Sequence, residues 1–418
     1  MATSVADQPK RSQILAALED ADTTVTLDDP LENTMVLNMG PQHPATHGVL
    51  RVLVKLDGET VLNCVPELGY LHRGYEKIAE NSTFHEFIPH TDRLDYLSPL
   101  SNNVGYVLAV EKLAGIEAPR RAQFIRTMCC EMARIGSHLV AVGSMAMDVG
   151  ALTVLLWTFR EREKLMDIYD VLTGARFTTS YTRIGGLQQD WSDTCTAMLR
   201  KFLDEFEQEM QEIEDLLFTN RIFIERCENV GYISPQQAID MGMTGPILRG
   251  AGIPRDLRRD NPYLVYNEMD FDVITTKESD ALARFYVRFA EAKESAKILR
   301  QCLEKMPHGP IHVNETKKVL PRKERIYTKM EELIHDFMLI NMGIDPPVGE
   351  VYQGIEGSKG ELGFYLVSDG TGHPWRLKIR SPSMVNLSAL PTMCKGAMIS
   401  DVVAIIGSID PVMGEADK

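Results

Sequence analysis

The chain has 418 residues, 44% of them hydrophobic and 25% charged, enough apolar material for two or three packed regions, which excludes disorder of the whole. A formal net charge of -15 repels a phosphate backbone, and no basic stripe with interleaved aromatics offsets it, so nucleic acid is excluded as a partner. Seven cysteines with no CxxC pair suit a reducing, cytoplasm-like compartment and fit neither a disulfide framework nor a zinc knuckle.

In chain order, residues 1–33 read as a solvated tail. Asp7, Glu19, Asp20, Asp22, Asp28 and Asp29 contradict an Arg-rich transit peptide. Residues 34–98 read as a β region carrying functional loops. Two prolines and two glycines between Gly40 and Gly48 forbid a helix and favour fixed backbone, so His43 and His47 are displayed from an ordered loop; a turn with two incidental histidines explains the pattern equally well at this point. Val49 to Leu56 and Thr60 to Val65 alternate around Asp57-Gly58, a strong hairpin signal. A short helical stretch follows Gly74.

Residues 99–345 read as a helical bundle. Pro99 and Pro119 each open a helix, and Ile125, Met128, Met132, Ile135, Leu139 and Val142 recur at three and four, the stripe of a core-facing helix. Arg134 and His138 lie one turn apart on another face, where a purely structural contact is expected. From Leu139 to Phe159 only Asp148 is charged, a length near the roughly 20 residues of a membrane span. A lone carboxylate is costly in an apolar medium, so two buried helices meeting near Asp148 are expected, with a cationic or hydrogen-bonding partner for that residue.

Thr153 to Leu172 reads as a helix with an exposed charged turn at Arg160 to Lys164. Cys195 to Leu217 reads as an amphipathic helix turning Asp204, Glu205, Glu207, Glu209 and Glu212 to water. Asn229 to Asp260 reads as a solvated loop region carrying Arg249, Arg255, Arg258 and Arg259, with docking to an acidic partner as the other reading. Helices return at Ser279 to Met306 and Lys323 to Asn341. Residues 346–418 turn β again, with Glu361 to Ser368 and Trp375 to Arg380 as a hairpin. Gly354 to Gly360 has the glycines and lysine in the wrong order for a phosphate loop.

HExxH, P-loop, GxSxG and Rossmann fingerprints are all missing. What is left is a set of His, Tyr and Arg in rigid loops and one carboxylate predicted to be buried, suited to proton-coupled chemistry on a small neutral ligand.

Four runs carry a resemblance: Met39-Gly40-Pro41-Gln42-His43-Pro44-Ala45-Thr46-His47-Gly48; Gly69-Tyr70-Leu71-His72-Arg73-Gly74-Tyr75-Glu76-Lys77; Asp92-Arg93-Leu94-Asp95-Tyr96-Leu97; and Ser408-Ile409-Asp410-Pro411-Val412-Met413-Gly414. Together they resemble the D-type family of subunits in proton-pumping NADH:quinone oxidoreductase, respiratory complex I, itself similar to the large subunit of nickel-iron hydrogenases. The resemblance implies a mainly helical α+β fold of hydrogenase-large-subunit type, a central helical bundle between small N- and C-terminal β regions. In hydrogenases four cysteines hold the metal; here their places are Asp95, Ser98, Val412 and Glu415, and the family's arginine beside the metal pocket corresponds to Lys359. A soft nickel-iron centre then has no thiolates, so no metal is expected in this chain.

The resemblance implies that the emptied cavity is a quinone headgroup pocket next to a [4Fe-4S] cluster of the adjacent subunit. Tyr96 and His47 would hold the quinone carbonyls, Asp148 would partner His47, and His43 would line the quinone site. Arg73, Arg93 and His138 would lie toward the cluster. Implied partners are the B-like iron-sulfur protein, the C-like protein and the H-like membrane protein of the complex, at the cytoplasmic face of the bacterial inner membrane in peripheral contact with it. A metal-bearing hydrogenase large chain and a pure assembly scaffold are the competing readings.

Overall fold

The computed structural model describes residues 34–314 and 318–418; the tail expected over 1–33 lies outside the described residues. Thr34–Met39 (β1), Arg51–Asp57 (β2) and Thr60–Glu67 (β3) form a three-stranded antiparallel sheet in chain order. The predicted hairpin turns at Gly58-Glu59, where Gly58 takes φ +59°, a conformation that only a residue without Cβ adopts freely. β1 is not announced by alternation, because it pairs on one side only, with β2, and its residues are mostly half-exposed.

Tyr75–Glu80 (α1) leads to Pro99–Ala114 (α2) and Arg120–Asp148 (α3). α3 has 29 residues, about 43 Å of helix, and most of its side chains are buried. The predicted stripe from Ile125 to Val142 lies in the core throughout. After Asp148 the chain reverses through Val149-Gly150-Ala151, with Gly150 at φ +103°, into Leu152–Thr173 (α4), so the apolar run is two packed helices rather than one. No helix among the described residues is long and apolar enough to cross a membrane.

Asp193–Leu217 (α5) starts on the Ser192 cap and turns Phe202, Phe206, Met210 and Ile213 inward. Ala281–Lys305 (α6), capped by Asp280, packs along α3. Met330–Met342 (α7) follows a separate short turn, Lys323–Ile326, where one continuous helix was expected. Gly349–Gly357 (β4), Gly360–Ser368 (β5) and Arg376–Arg380 (β6) make a second antiparallel sheet. Pro382–Leu387 (α8), Ile399–Ile409 (α9) and Met413–Asp417 (α10) complete the chain.

The fold is therefore mainly helical α+β, as expected. Its two cores interleave distant segments. The second sheet packs into the bundle through Ile355 and Phe364, while the N-terminal sheet shares a core with Ile247, Leu248, Leu390, Ile405 and Ile406.

Residues 354–360, rejected above as a phosphate loop, form the β4–β5 hairpin. Two expectations are corrected. Arg249 and Arg258 are buried, not solvated, although Arg255 and Arg259 are exposed. Glu161 and Arg162 of the charged turn in α4 are also buried. In each case a charge that looks water-loving in isolation meets a distant opposite charge or packs beneath another helix, and pairing makes its burial tolerable.

Candidate functional site

The loop 40–50 is held by its own backbone. Gly40 takes φ +86°, and a Cβ there would fall 2.2 Å from Leu50 O, so only glycine fits. Thr46 donates to His43 O from both N (3.1 Å) and Oγ1 (2.8 Å), and His43 bridges to Gly48. His43 stands exposed on this turn. His47, at φ +50°, places Nε2 3.0 Å from Asp148 Oδ2. Asp148 ends α3, so the imidazole meets its carboxylate at the C-terminal end of that helix. The cationic or hydrogen-bonding partner expected for Asp148 is thus His47.

Asp148 also lies against α9: a Cβ at Gly407 would be 3.3 Å from its Oδ2. Seven residues further on, a Cβ at Gly414 would be 3.2 Å from Tyr96 Cδ1 and 2.8 Å from Arg93 O and Leu94 O. The segment Gly407–Gly414 therefore has the His47–Asp148 pair at one end and Tyr96 at the other. Between them Asp410 ends α9 in the left-handed region, φ +55°, which turns its carboxylate inward.

Beside Tyr96 lies a buried polar cluster. Lys359, carried inward by the β4–β5 turn, sets Nζ 2.9 Å from Asp410 Oδ2 and 3.8 Å from Asp95 Oδ2, and donates to Ser137 Oγ at 2.7 Å. Burial works against this ammonium, but Asp410 and Asp95 outweigh it and hold Lys359 above its ordinary value. Ser358 Oγ donates to Asp95 Oδ2 at 3.2 Å and lies 3.0 Å from Ser98 Oγ. Asp95, Ser98, Val412 and Glu415, which the resemblance set in the places of hydrogenase cysteines, are all buried. The cysteines of the described residues lie at other positions, and no group of three or more metal-binding side chains occurs among those residues.

Tyr96 itself is partly exposed beside this cluster. Burial, then the charge of Asp95, pushes its phenol above the usual range; Asp410 adds to the effect and Lys359 opposes it. The hydroxyl accordingly stays protonated at neutral pH.

Arg73 and Arg93 form a separate exposed patch. Arg73 stands 5.6 Å over the Tyr75 ring, and Arg93 donates to Pro89 O. His90 lies between them, stacked on Phe87 at 5.6 Å; burial, then Arg93 and Arg73, holds it below the usual imidazole range. His138 does not join that patch. It is buried between α3 and α6 with Nε2 3.1 Å from Glu291 Oε2, and burial holds it down to about 4.

Glu291 belongs to an ion network that sequence reasoning missed. Arg249 bonds Glu291 Oε1 at 2.5 Å and Glu356 Oε1 at 2.7 Å, and Arg258 bonds Asp256 Oδ2 at 2.7 Å and Glu131 Oε2 at 3.2 Å. Arg134 donates to Gly357 O at 3.0 Å and Glu356 O at 2.6 Å, so the network grips the turn that presents Ser358 and Lys359. No local signal marks these arginines: Arg249 reaches Glu291 across 42 positions and Arg258 reaches Glu131 across 127. Concavities of about 540 Å³ under α7 and about 520 Å³ beside Trp375 include neither Tyr96 nor His47.

Residues 148–418 match the family model described as "Respiratory-chain NADH dehydrogenase, 49 Kd subunit". The chain is similar to the D 1 subunit of NADH-quinone oxidoreductase from Chloroherpeton thalassium, 59% identical over 410 residues, covering 98% of this chain and 93% of that one. It is 54% identical to the D subunit of NADH-quinone oxidoreductase from Salinibacter ruber over 391 residues, 93% of this chain and 87% of that one. The Methylacidiphilum infernorum protein of the same name is 53% identical over 410 residues, 98% and 97% of the two chains.

Proposed function

We propose, from the premise that this chain belongs to the family of the respiratory-chain NADH dehydrogenase 49 Kd subunit, that it forms the quinone headgroup pocket of a proton-translocating NADH:quinone oxidoreductase. The observation that carries this reading is the segment Gly407–Gly414, with a phenol at one end and a carboxylate-backed imidazole at the other. A quinone headgroup presents one carbonyl at each end of a flat ring, and these are two donors for two oxygens.

The chemistry follows from charge. Electrons added to a quinone raise the basicity of its carbonyl oxygens, and hydrogen-bond donors in a poorly solvated site then attract them far more strongly. Tyr96 gives its phenolic proton to one oxygen and His47 an imidazole proton to the other. Asp148 orients the ring of His47 and stabilises it while charged. Proton loss from both donors changes the charge beside Asp148 and above Lys359, and this change is the signal that drives proton movement in membrane partners.

The exposed Arg73 and Arg93 face the [4Fe-4S] cluster of the adjacent B-like protein, where positive charge favours the reduced cluster. His138, enclosed with Glu291, has no part in that patch. His43, exposed on its loop, lines the entrance to the pocket. The C-like protein and the H-like membrane protein are the further partners, and the chain sits peripherally at the cytoplasmic face of the inner membrane. The hydrogenase relation accounts for the buried polar cluster, in which two of the implied ligand positions, Asp95 and Glu415, face Lys359.

Tyr96→Phe in the assembled complex tests the assignment. It should lower quinone reduction by about 10²- to 10⁴-fold, the usual worth of a general acid, while NADH still reduces an artificial acceptor at the normal rate. Full quinone turnover in that variant would refute it.

A further inference from the structure

The polar cluster beside Tyr96 contains three carboxyl groups: Asp95 and Asp410, each 3% exposed, and Glu415, 1% exposed. Lys359 is within ion-pairing distance of Asp410 and Asp95. Glu415 forms no ion pair among the described residues. Its Oε1 accepts from Ser381 Oγ at 3.1 Å and Ser383 N at 3.3 Å, and its Oε2 lies 3.2 Å from Ser383 Oγ. Hydroxyls rotate and accept as readily as they donate, so this cradle holds a carboxylic acid as well as a carboxylate.

The groups facing Glu415 come from every side of the cluster. Asp95 repels its charge, and Lys359 attracts it from the β4–β5 turn. Lys418 faces it from the chain end while bonding Ile379 O. Arg162 of α4 faces Asp95, and Arg288 of α6 faces Asp410. Burial, then the charge of Asp95, raises Glu415 to about 7, whereas Tyr96 is pushed above a phenol's usual value of 10. Gly414, the preceding residue, packs against the Tyr96 ring, so the acid stands in the turn that supports the phenol.

We propose that Glu415 holds a proton in the resting enzyme and returns it to Tyr96 after that phenol has protonated the reduced quinone. The proposal rests on the reading of Tyr96 as a proton donor, and it makes Glu415 a positioning residue that acts through Tyr96. In the step, the carboxylic O–H of Glu415 breaks, an O–H bond forms on the tyrosinate oxygen, and Glu415 is left as a carboxylate in the field of Lys359. No electrons move. A solvent proton later restores the acid. The direction is downhill, because the donor is the stronger acid and the acceptor the stronger base.

The test uses the assembled, membrane-bound complex with Glu415→Gln, Glu415→Asp and Tyr96→Phe. Quinone reduction by NADH is followed from about pH 6 to about pH 9, normalised to artificial-acceptor reduction. The native complex should lose rate as pH rises through about 7, where Glu415 gives up its proton. Glu415→Gln should be slower by about tenfold or more at the acid end and lack that falling limb. Glu415→Asp should keep a limb, moved along the pH axis, and it carries the test alone if the glutamine variant does not assemble.

A limb retained in Glu415→Gln, unmoved in Glu415→Asp, or missing from the native complex overturns the proposal. If Tyr96→Phe turns over normally, the quinone-site reading itself fails. If Tyr96→Phe is inactive while Glu415→Gln keeps the limb, only the role of Glu415 fails.

Discussion

Asp148→Asn removes one charge and leaves the shape of the site intact, which makes it a direct probe of the His47 pair. At the 3.0 Å separation of Nε2 and Oδ2, unit charges at an effective dielectric of about 20 attract by about 5 kcal/mol, before desolvation is subtracted. The net worth of a hydrogen bond between charged groups is smaller, about 1.5–3 kcal/mol. The pair stabilises His47 while it carries the proton it will give, so at about 1.4 kcal/mol per decade its loss lowers the supply of that proton, and quinone reduction with it, by about ten- to 150-fold. The assay is NADH-driven quinone reduction in membranes carrying the assembled complex, with artificial-acceptor reduction as the measure of intact upstream electron transfer. Gly407→Ala supplies a graded second arm. Its Cβ would stand 3.3 Å from Asp148 Oδ2, tight enough to shift the carboxylate by tenths of an ångström, so a smaller loss is expected. Retention of more than half the native turnover by Asp148→Asn would refute the view that this pair supports proton donation.

Gly414→Ala should press a Cβ against Arg93 O and Leu94 O, each 2.8 Å away, and displace Tyr96. An overpacking cost of about 1–3 kcal/mol and reduced quinone turnover with normal artificial-acceptor reduction are expected. Arg249→Met strands Glu291 and Glu356 in the core, and breaking such buried pairs costs about 3–5 kcal/mol, read as a lower temperature of heat inactivation. Burial holds His138 to about 4 in the folded chain, against about 6.5 when unfolded. The unfolded chain therefore binds the extra proton first, and stability falls as pH drops from about 6.5 toward 4, by about 3 kcal/mol in full. His138→Gln should flatten that part of the pH dependence of the heat-inactivation temperature.

Local signals in the chain were enough for most of the framework. The Asp57-Gly58 turn, the helices opened by Pro99 and Pro119, and the break in the apolar run near Asp148 all depend on preferences of a few neighbouring residues. Asp148 was legible for a further reason: a carboxylate set alone in apolar surroundings requires a partner whatever the fold, although only the folded chain identifies it as His47, 101 positions away. The resemblance carried by four short runs implied roles for Tyr96 and Lys359 and set Asp95, Ser98, Val412 and Glu415 in the places of ligands.

Two features escaped a linear reading. β1 pairs with β2 along one edge only, and β4 contains the glycines that mimic a loop. The buried charges escaped more completely. Arg249 and Arg258 sit in a glycine-rich stretch whose composition reads as solvated. Turns, caps and helical periodicity are decided within a few residues, so the sequence alone determined them. Whether a charge is buried, and which way its proton equilibrium moves, depends on groups brought together from far along the chain; Lys359, Asp95, Asp410 and Glu415 acquire their chemistry only when the tertiary structure closes around them.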